Sequence, residues 1–171
     1  MDYGVAVLRV LHVFSTVFWT GLAVTNIAFV VPAAGKAGPE GGKFMGVLLR
    51  GPLIAATNIA IVIAASSGLF LYVHDWTSFQ GEWWIGTSAG LSFTAGAVFG
   101  LAAAGVFGAL TQPAFRSMVK LGAEMEAAGG PPKPEQLTRA GELRSRAVTF
   151  GRINALLLAG ALLFMVVGGS Y

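Results

Sequence analysis

The chain has 171 residues, of which 55% are hydrophobic and only 11% are charged. A soluble domain carries about 25% charged residues, so this composition excludes an ordinary soluble protein and indicates a membrane protein. The sequence contains no cysteine, which excludes disulfides, thiolate metal sites, iron–sulfur clusters and thiol catalysis.

Four apolar stretches are each long enough to cross a bilayer, which takes about 20 helical residues. They predict an all-α, integral membrane four-helix bundle that forms a single domain. The predicted spans are residues 10–31, 52–73, 84–110 and 148–167. Pro32 is expected to end the first helix, because proline lacks the backbone N–H that a continuing helix needs.

The first span has two unlike faces. Helical steps of three and four residues place polar side chains together on one face. This polar stripe consists of His12, Ser15, Thr16, Trp19, Ala23 and Asn26. The opposite face carries Val13, Phe14, Val17, Phe18, Leu22 and Phe29. Because lipid cannot solvate His, Thr or Asn, we expect the polar stripe to face other helices or a bound group.

The links that follow the first two spans differ in character. Residues 43–50 in the first link predict a short amphipathic turn at the lipid headgroups. The second link has no Lys or Arg but is dense in aromatic residues, which is typical of a belt at the water–lipid boundary. Its aromatic residues are Tyr72, Trp76, Phe79, Trp83 and Trp84.

The third span carries small residues at four-residue spacing. Gly96, Gly100, Ala104 and Gly108 predict a close contact with another helix, either within the bundle or in a homo-oligomer or other membrane partner. Pro113 is expected to kink this helix or to end its regular run.

Residues 114–147 alternate basic and acidic side chains and predict a charged hairpin between the third and fourth spans. Lys and Arg concentrate in this hairpin and in the link after the first span. The positive-inside rule therefore places both segments on the cytoplasmic side and both termini on the outer side. This distribution indicates a topology signal and no nucleic-acid surface.

The chain contains two histidines, His12 and His74. Because the first two spans run antiparallel, both histidines are expected at the outer end of the bundle, with Met165 at a similar level. These three residues can ligate haem iron or copper. Thr16 and Trp19 are expected to line such a site, and Thr16 to accept a hydrogen bond from the His12 imidazole.

A structural role competes with ligation. An intramembrane histidine can hydrogen-bond a neighbouring helix, and a methionine is more often part of the packing than a ligand. The spans contain no carboxylate and no Ser–His–acid arrangement, so the pattern is more typical of a protein that is not an enzyme.

Residues 8–23, LRVLHVFSTVFWTGLA, resemble the first helix of the copper-resistance D superfamily of small bacterial membrane proteins. The motif is His12, Trp19 and Gly21. The segments GPEGGKFM and AGGPPKPEQ are similar to those of uncharacterised four-helix families in that grouping. More distantly, the chain resembles the bacterial membrane protoporphyrinogen oxidases. That resemblance implies His12 as a haem b ligand with Trp19 beside it, although no Lys or Arg lies in the middle of a span.

The expected function is therefore binding of haem b or a metal near the outer face, for electron transfer or cofactor handling, in a bacterial inner membrane. Two alternatives stay open. One is a non-catalytic membrane subunit or scaffold that binds no cofactor, and the other is a copper-handling permease.

The predicted topology can be tested with single cysteines in this cysteine-free chain. Cysteines placed at Ser78 and at Gly130 should react with an impermeant maleimide from opposite sides of sealed vesicles, with Ser78 on the outer side. Labelling of both positions from one side would contradict the four-span topology.

Overall fold

The computed structural model describes residues 3–78 and 82–170, and every regular element in those ranges is helical. The elements are α1 (Tyr3–Thr25), a first π segment (Asn26–Val30), α2 (Val31–Lys36), α3 (Gly38–Arg50), α4 (Pro52–Ser78), α5 (Glu82–Ile85), α6 (Ser88–Val106), a second π segment (Phe107–Thr111), α7 (Gln112–Ala127) and α8 (Pro134–Gly168). Within this part of the chain, four helical stretches are long and apolar enough to cross a membrane: Tyr3–Lys36, Leu53–Ser78, Ser88–Ala127 and Pro134–Gly168. The prediction of an all-helical fold with four helices that could each cross a membrane is confirmed for the described residues.

The long helices associate as two hairpins. In the first hairpin α1 packs along α4, and in the second hairpin α6 packs along α8. The two hairpins meet over a shorter length, through contacts of α1 with α8 and of α4 with α6. Their meeting point is a buried cluster to which each of the four long helices contributes: Trp19, Ala60, Ala103, Phe107 and Leu158.

The two faces of α1 lie as the sequence predicts. Ser15, Trp19 and Thr20 are buried on the polar side. On the apolar side, Phe14 and Phe29 keep 74% and 69% of their surface exposed in the absence of lipid. Leu22 is the exception, because it is only half-exposed and contacts the space between the hairpins.

Two prolines lie within helices that run on past them, although each proline was expected to end or kink its helix. Pro32 lies in α2, directly after the first π segment, and Pro113 lies in α7, directly after the second. A proline ring clashes with the carbonyl four residues earlier, and for these prolines that carbonyl belongs to Ala28 or Ala109. Both carbonyls lie within π segments, whose wider turn accommodates the ring. The first helix therefore runs on to Lys36, and the expectation that Pro32 ends it is wrong.

A tight corner follows α2. Gly38 has a φ of 62°, and the backbone of Gly41 lies against the Ala34 carbonyl so closely that no side chain fits there. The chain turns back into α3, a full helix of 13 residues instead of a short turn. Its Leu49 is buried while Phe44 and Val47 are exposed, so α3 is amphipathic as predicted.

Aromatic side chains join the two hairpins at the end of α4. The Tyr72 hydroxyl donates to the Thr94 hydroxyl over 2.9 Å, since Thr94 itself donates to the Gly90 carbonyl. The Trp84 ring lies edge-on to Tyr72 at 5.0 Å and is only 5% exposed. Trp84 is therefore a packing residue, unlike Trp83, which is 82% exposed as a belt residue should be. Phe79 lies outside the described residues.

The small residues of α6 make one close contact with α8. A side chain at Gly96 would meet the Met165 methyl group at 2.9 Å and the Ala161 carbonyl at 3.3 Å. At Gly100 and Gly108 it would meet nothing within 4 Å, whereas Ala104 packs against the central cluster, so the predicted stripe serves intrachain packing at Gly96 and Ala104. Four helical residues advance by about 400°, and each step therefore turns the stripe roughly 40° away from α8. The α6–α8 contact also includes phenylalanines of α6 on glycines of α8, with Phe99 on Gly160 and Phe93 on Gly168.

This packing predicts unequal effects for two equal substitutions one turn apart. Gly96→Leu should lower the free energy of unfolding by about 1–3 kcal/mol, because the new side chain overpacks the α6–α8 contact. Gly100→Leu should be nearly neutral. Thermal unfolding of both variants in the same detergent measures the difference, and equal losses would contradict the assignment of Gly96 to the interface.

Candidate functional site

A cavity of about 850 Å³ lies between the two hairpins. The central cluster closes its deep end, since Trp19 and Phe107 belong both to that cluster and to the cavity wall. At its other end the cavity opens among charged residues of α3, α7 and α8. Its size is within the 300–1,000 Å³ range of sites that hold small molecules.

Small residues on α3 create much of this space. Gly42 and Gly46 lie one turn apart on the wall, and a side chain at either would meet nothing within 4 Å. The rest of the wall is mainly apolar, for example Leu22, Ile54 and Met118. Both π segments contribute to it as well. The cavity therefore offers an apolar surface to whatever occupies it.

Two residues of the cavity wall carry a buried polar atom without a partner. Trp19 and Asn154 are 4% and 3% exposed, and neither the Trp19 Nε1 nor the Asn154 Oδ1 has a hydrogen bond among the described residues. An unpaired buried polar atom costs about 1–3 kcal/mol, and native proteins rarely tolerate it without a reason. One group is a donor and the other an acceptor, so a hydroxyl group has the chemistry to pair with either one once a small side-chain movement uncovers it.

Other polar groups on the wall are already engaged. The Thr57 hydroxyl donates to the Leu53 carbonyl over 2.8 Å, and the Thr111 hydroxyl donates to the Val106 carbonyl over 3.3 Å. The Asn26 side chain donates to the Leu22 carbonyl over 2.9 Å. Trp19 and Asn154, in contrast, each keep a buried polar atom without a hydrogen bond among the described residues.

The cavity mouth is cationic. Among the residues that the structure describes, the charged side chains that line it are Lys43, Arg50 and Arg144 and one acid, Glu126. Lys43 is bonded to Glu40 over 2.8 Å, and that hydrogen bond and the Glu40 charge raise the Lys43 pKa. Among the described residues, neither Arg50 nor Arg144 forms an ion pair or a hydrogen bond. The two guanidinium groups are therefore available to an anion.

His12 is bound to α4 through its ring. Its Nδ1 lies 2.8 Å from the Ala64 carbonyl, and because a carbonyl only accepts, Nδ1 carries the proton. The ring packs against Gly68, where a side chain would come within 2.6 Å of it. The acceptor is thus Ala64 and not Thr16, whose own buried hydroxyl has no partner among the described residues. In a neutral imidazole with this bond, Nε2 is the nitrogen that can serve as a metal ligand.

The other predicted ligands lie elsewhere. His74 is exposed and comes six residues after Gly68, about 9 Å further along α4 than the residue under His12. Met165 packs against Gly96 of α6. Within residues 3–78 and 82–170, no group of three His, Cys, Asp or Glu residues is placed to hold a metal. Of the three predicted ligands, only His12 has a side-chain hydrogen bond among the described residues, and that bond orients its ring.

The sequence singled out Trp19 and the polar stripe, and the structure places Trp19 in the cavity wall. No role for Asn154, Arg50 or Arg144 was evident from the sequence. Asn154 has a visible signal, as an amide within an apolar span. The two arginines have none, because they resemble the other basic residues of their links.

The wall, the unpaired donor and acceptor, and the cationic mouth together describe a ligand site with an apolar interior. Comparisons of the chain with protein-family models, with curated proteins and with solved structures find no match.

Proposed function

We propose that this protein binds a lipid-like molecule in the cavity between its hairpins. The observation that carries the proposal is a mainly apolar cavity whose wall includes Trp19 and Asn154, two residues with an unpaired Nε1 and an unpaired Oδ1. Such a combination, a mainly apolar wall with a few placed polar groups, is the usual composition of a ligand pocket.

The chemistry of the pair defines the ligand further. A hydroxyl group accepts a hydrogen bond from the Trp19 N–H and donates one to the Asn154 carbonyl oxygen. The apolar body of the molecule lies against side chains such as Leu22, Ile54 and Met118. The proposed ligand is therefore an apolar molecule with an oxygen function at its deep end.

The membrane orientation follows from the charges. With the basic links in the cytoplasm, α7, the turn at residues 128–133 and the start of α8 form the charged hairpin on that side of a bacterial inner membrane. The cavity mouth, at Arg50 and Arg144, then lies at the cytoplasmic surface, and the amphipathic α3 lies in the interface beside it. A molecule can then reach the cavity from the inner leaflet.

A brominated probe tests the binding. Dibrominated stearyl alcohol, a neutral molecule, should quench the fluorescence of Trp19 saturably in neutral-lipid nanodiscs. The Trp19 component is the difference between the wild type and Trp19→Phe. Asn154→Leu removes the acceptor at similar volume and should weaken binding about fivefold, the value of one neutral hydrogen bond.

The control is Asn58→Leu, because Asn58 is a half-buried amide of α4 that does not line the cavity. It should leave the binding curve unchanged. Quenching of the exposed Trp83 without quenching of Trp19 would show that the probe dissolves only in the bilayer, and would contradict the proposal.

The hydrogen bond of His12 favours a second candidate function. A neutral imidazole with a free Nε2 can bind haem b or copper, and we propose His12 as the single prepared ligand of such a site, with His74 and Met165 as ligands only if the helices rearrange. The protein purified after expression with ample haem and copper should then show a Soret band or bound copper that His12→Ala abolishes. A colourless, metal-free wild type would leave cavity binding or a scaffold role.

A further inference from the structure

We infer that the ligand of this cavity is a single-chain lipid with an oxyanion head group, a carboxylate or a phosphate monoester, held at the mouth by Arg144 and Arg50. The inference rests on the proposed function, since it names the chemistry of the same ligand at the opposite end of the cavity.

Arg144 lies at the cavity mouth beside α2. Its guanidinium packs against Gly35, near the end of α2, where the absence of a side chain leaves room for it. Arg144 forms no ion pair or hydrogen bond among the described residues. A guanidinium without an anion beside it is suited to a carboxylate or phosphate, which it can bind with two parallel hydrogen bonds.

Arg50 approaches the cavity from a different element. It ends α3, and its guanidinium lies 4.0 Å from where a side chain at Gly122 of α7 would begin. The charges that line the cavity are Lys43, Arg50 and Arg144 against Glu126 alone. Lys43 is paired with Glu40, which lies outside the cavity lining. The balance at the mouth therefore favours an anion over a neutral or cationic head group.

The distance between the two polar ends suits an extended chain. Arg144 and Asn154 lie ten residues apart on α8, which corresponds to about 15 Å. Between them the wall is mainly apolar. A cavity of about 850 Å³ has the size of a site for one drug-sized molecule, so a single chain is expected.

The orientation of the ligand in the cavity agrees with that of a lipid in the inner leaflet. Its head group would lie at the level of the interfacial helix α3, and its chain would extend toward the central cluster. The molecule could therefore enter without turning over.

The test compares head groups on one brominated chain at about pH 8, where the carboxylic acid is ionised. The probes are dibrominated stearic acid, its methyl ester, stearyl alcohol and stearylamine with the same bromination, and a dibrominated lysophosphatidate. The acid, the lysophosphatidate or both should quench Trp19 at least tenfold more tightly than the ester, alcohol and amine. Which anion binds more tightly identifies the head group.

Arg144→Gln should remove most of this preference, about tenfold or more, and leave the alcohol unchanged. Arg50→Gln tests the second guanidinium independently, and Arg144→Lys should keep part of the preference because it keeps the charge. Arg146→Gln is the matched control, an exposed arginine two residues away that does not line the cavity.

The possible failures separate the two proposals. If acid, alcohol and amine bind equally well, or if Arg144→Gln and Arg50→Gln both leave the acid unaffected, the oxyanion inference is wrong and the cavity proposal stands. If no probe quenches Trp19, both are wrong. If the anions bind but Asn154→Leu does not weaken binding of the alcohol, the role of the two arginines is supported and the role of the deep hydrogen-bonding pair is wrong.

Discussion

The arrangement of the helices depends on where two helices can pack closely against each other. Close approach of two helices requires a glycine under a larger side chain, and the chain supplies such contacts within each hairpin: His12 on Gly68, and Phe99 on Gly160. Between the hairpins, contact is made at the cluster around Trp19 and Leu158, through Tyr72 and Thr94 near the end of α4, and through Ile27 on Gly151 toward the basic end. The hairpins are therefore internally tight and are joined to each other at a few points. The cavity is the space left between them toward the basic end.

The two prolines, Pro32 and Pro113, lie close in sequence to the residues that line the cavity. Each π segment precedes a proline, and residues of both, Asn26 in one and Thr111 in the other, line the cavity wall. A π turn widens the helix locally and redirects the residues that follow. It thus allows both helices to continue past a proline to the charged end. The candidate site coincides with the least regular helix geometry of the described residues.

Hydropathy and helical period predict the number of long helices and the buried face of α1, because both depend on residues close in sequence. The same local rules fail at Pro32, where the wider turn before the proline removes the clash. They also cannot separate Gly96 from Gly100, which have the same spacing but face different surroundings. The acceptor of the His12 ring is a backbone carbonyl, which has no sequence signature. The cavity depends on the relative placement of two hairpins, and no pattern within one span encodes that.

The unpaired Asn154 has a thermodynamic consequence. An acceptor sealed from water without a donor raises the free energy of the empty folded state by an amount comparable to a tenth or more of the net stability of a typical domain. A molecule that supplies the donor removes that penalty, and by mass action the folded population grows with its concentration relative to its dissociation constant. On the proposed function, Asn154 would thus couple the persistence of the folded chain in the bilayer to the abundance of its ligand, and loss of the ligand would shorten the lifetime of the protein.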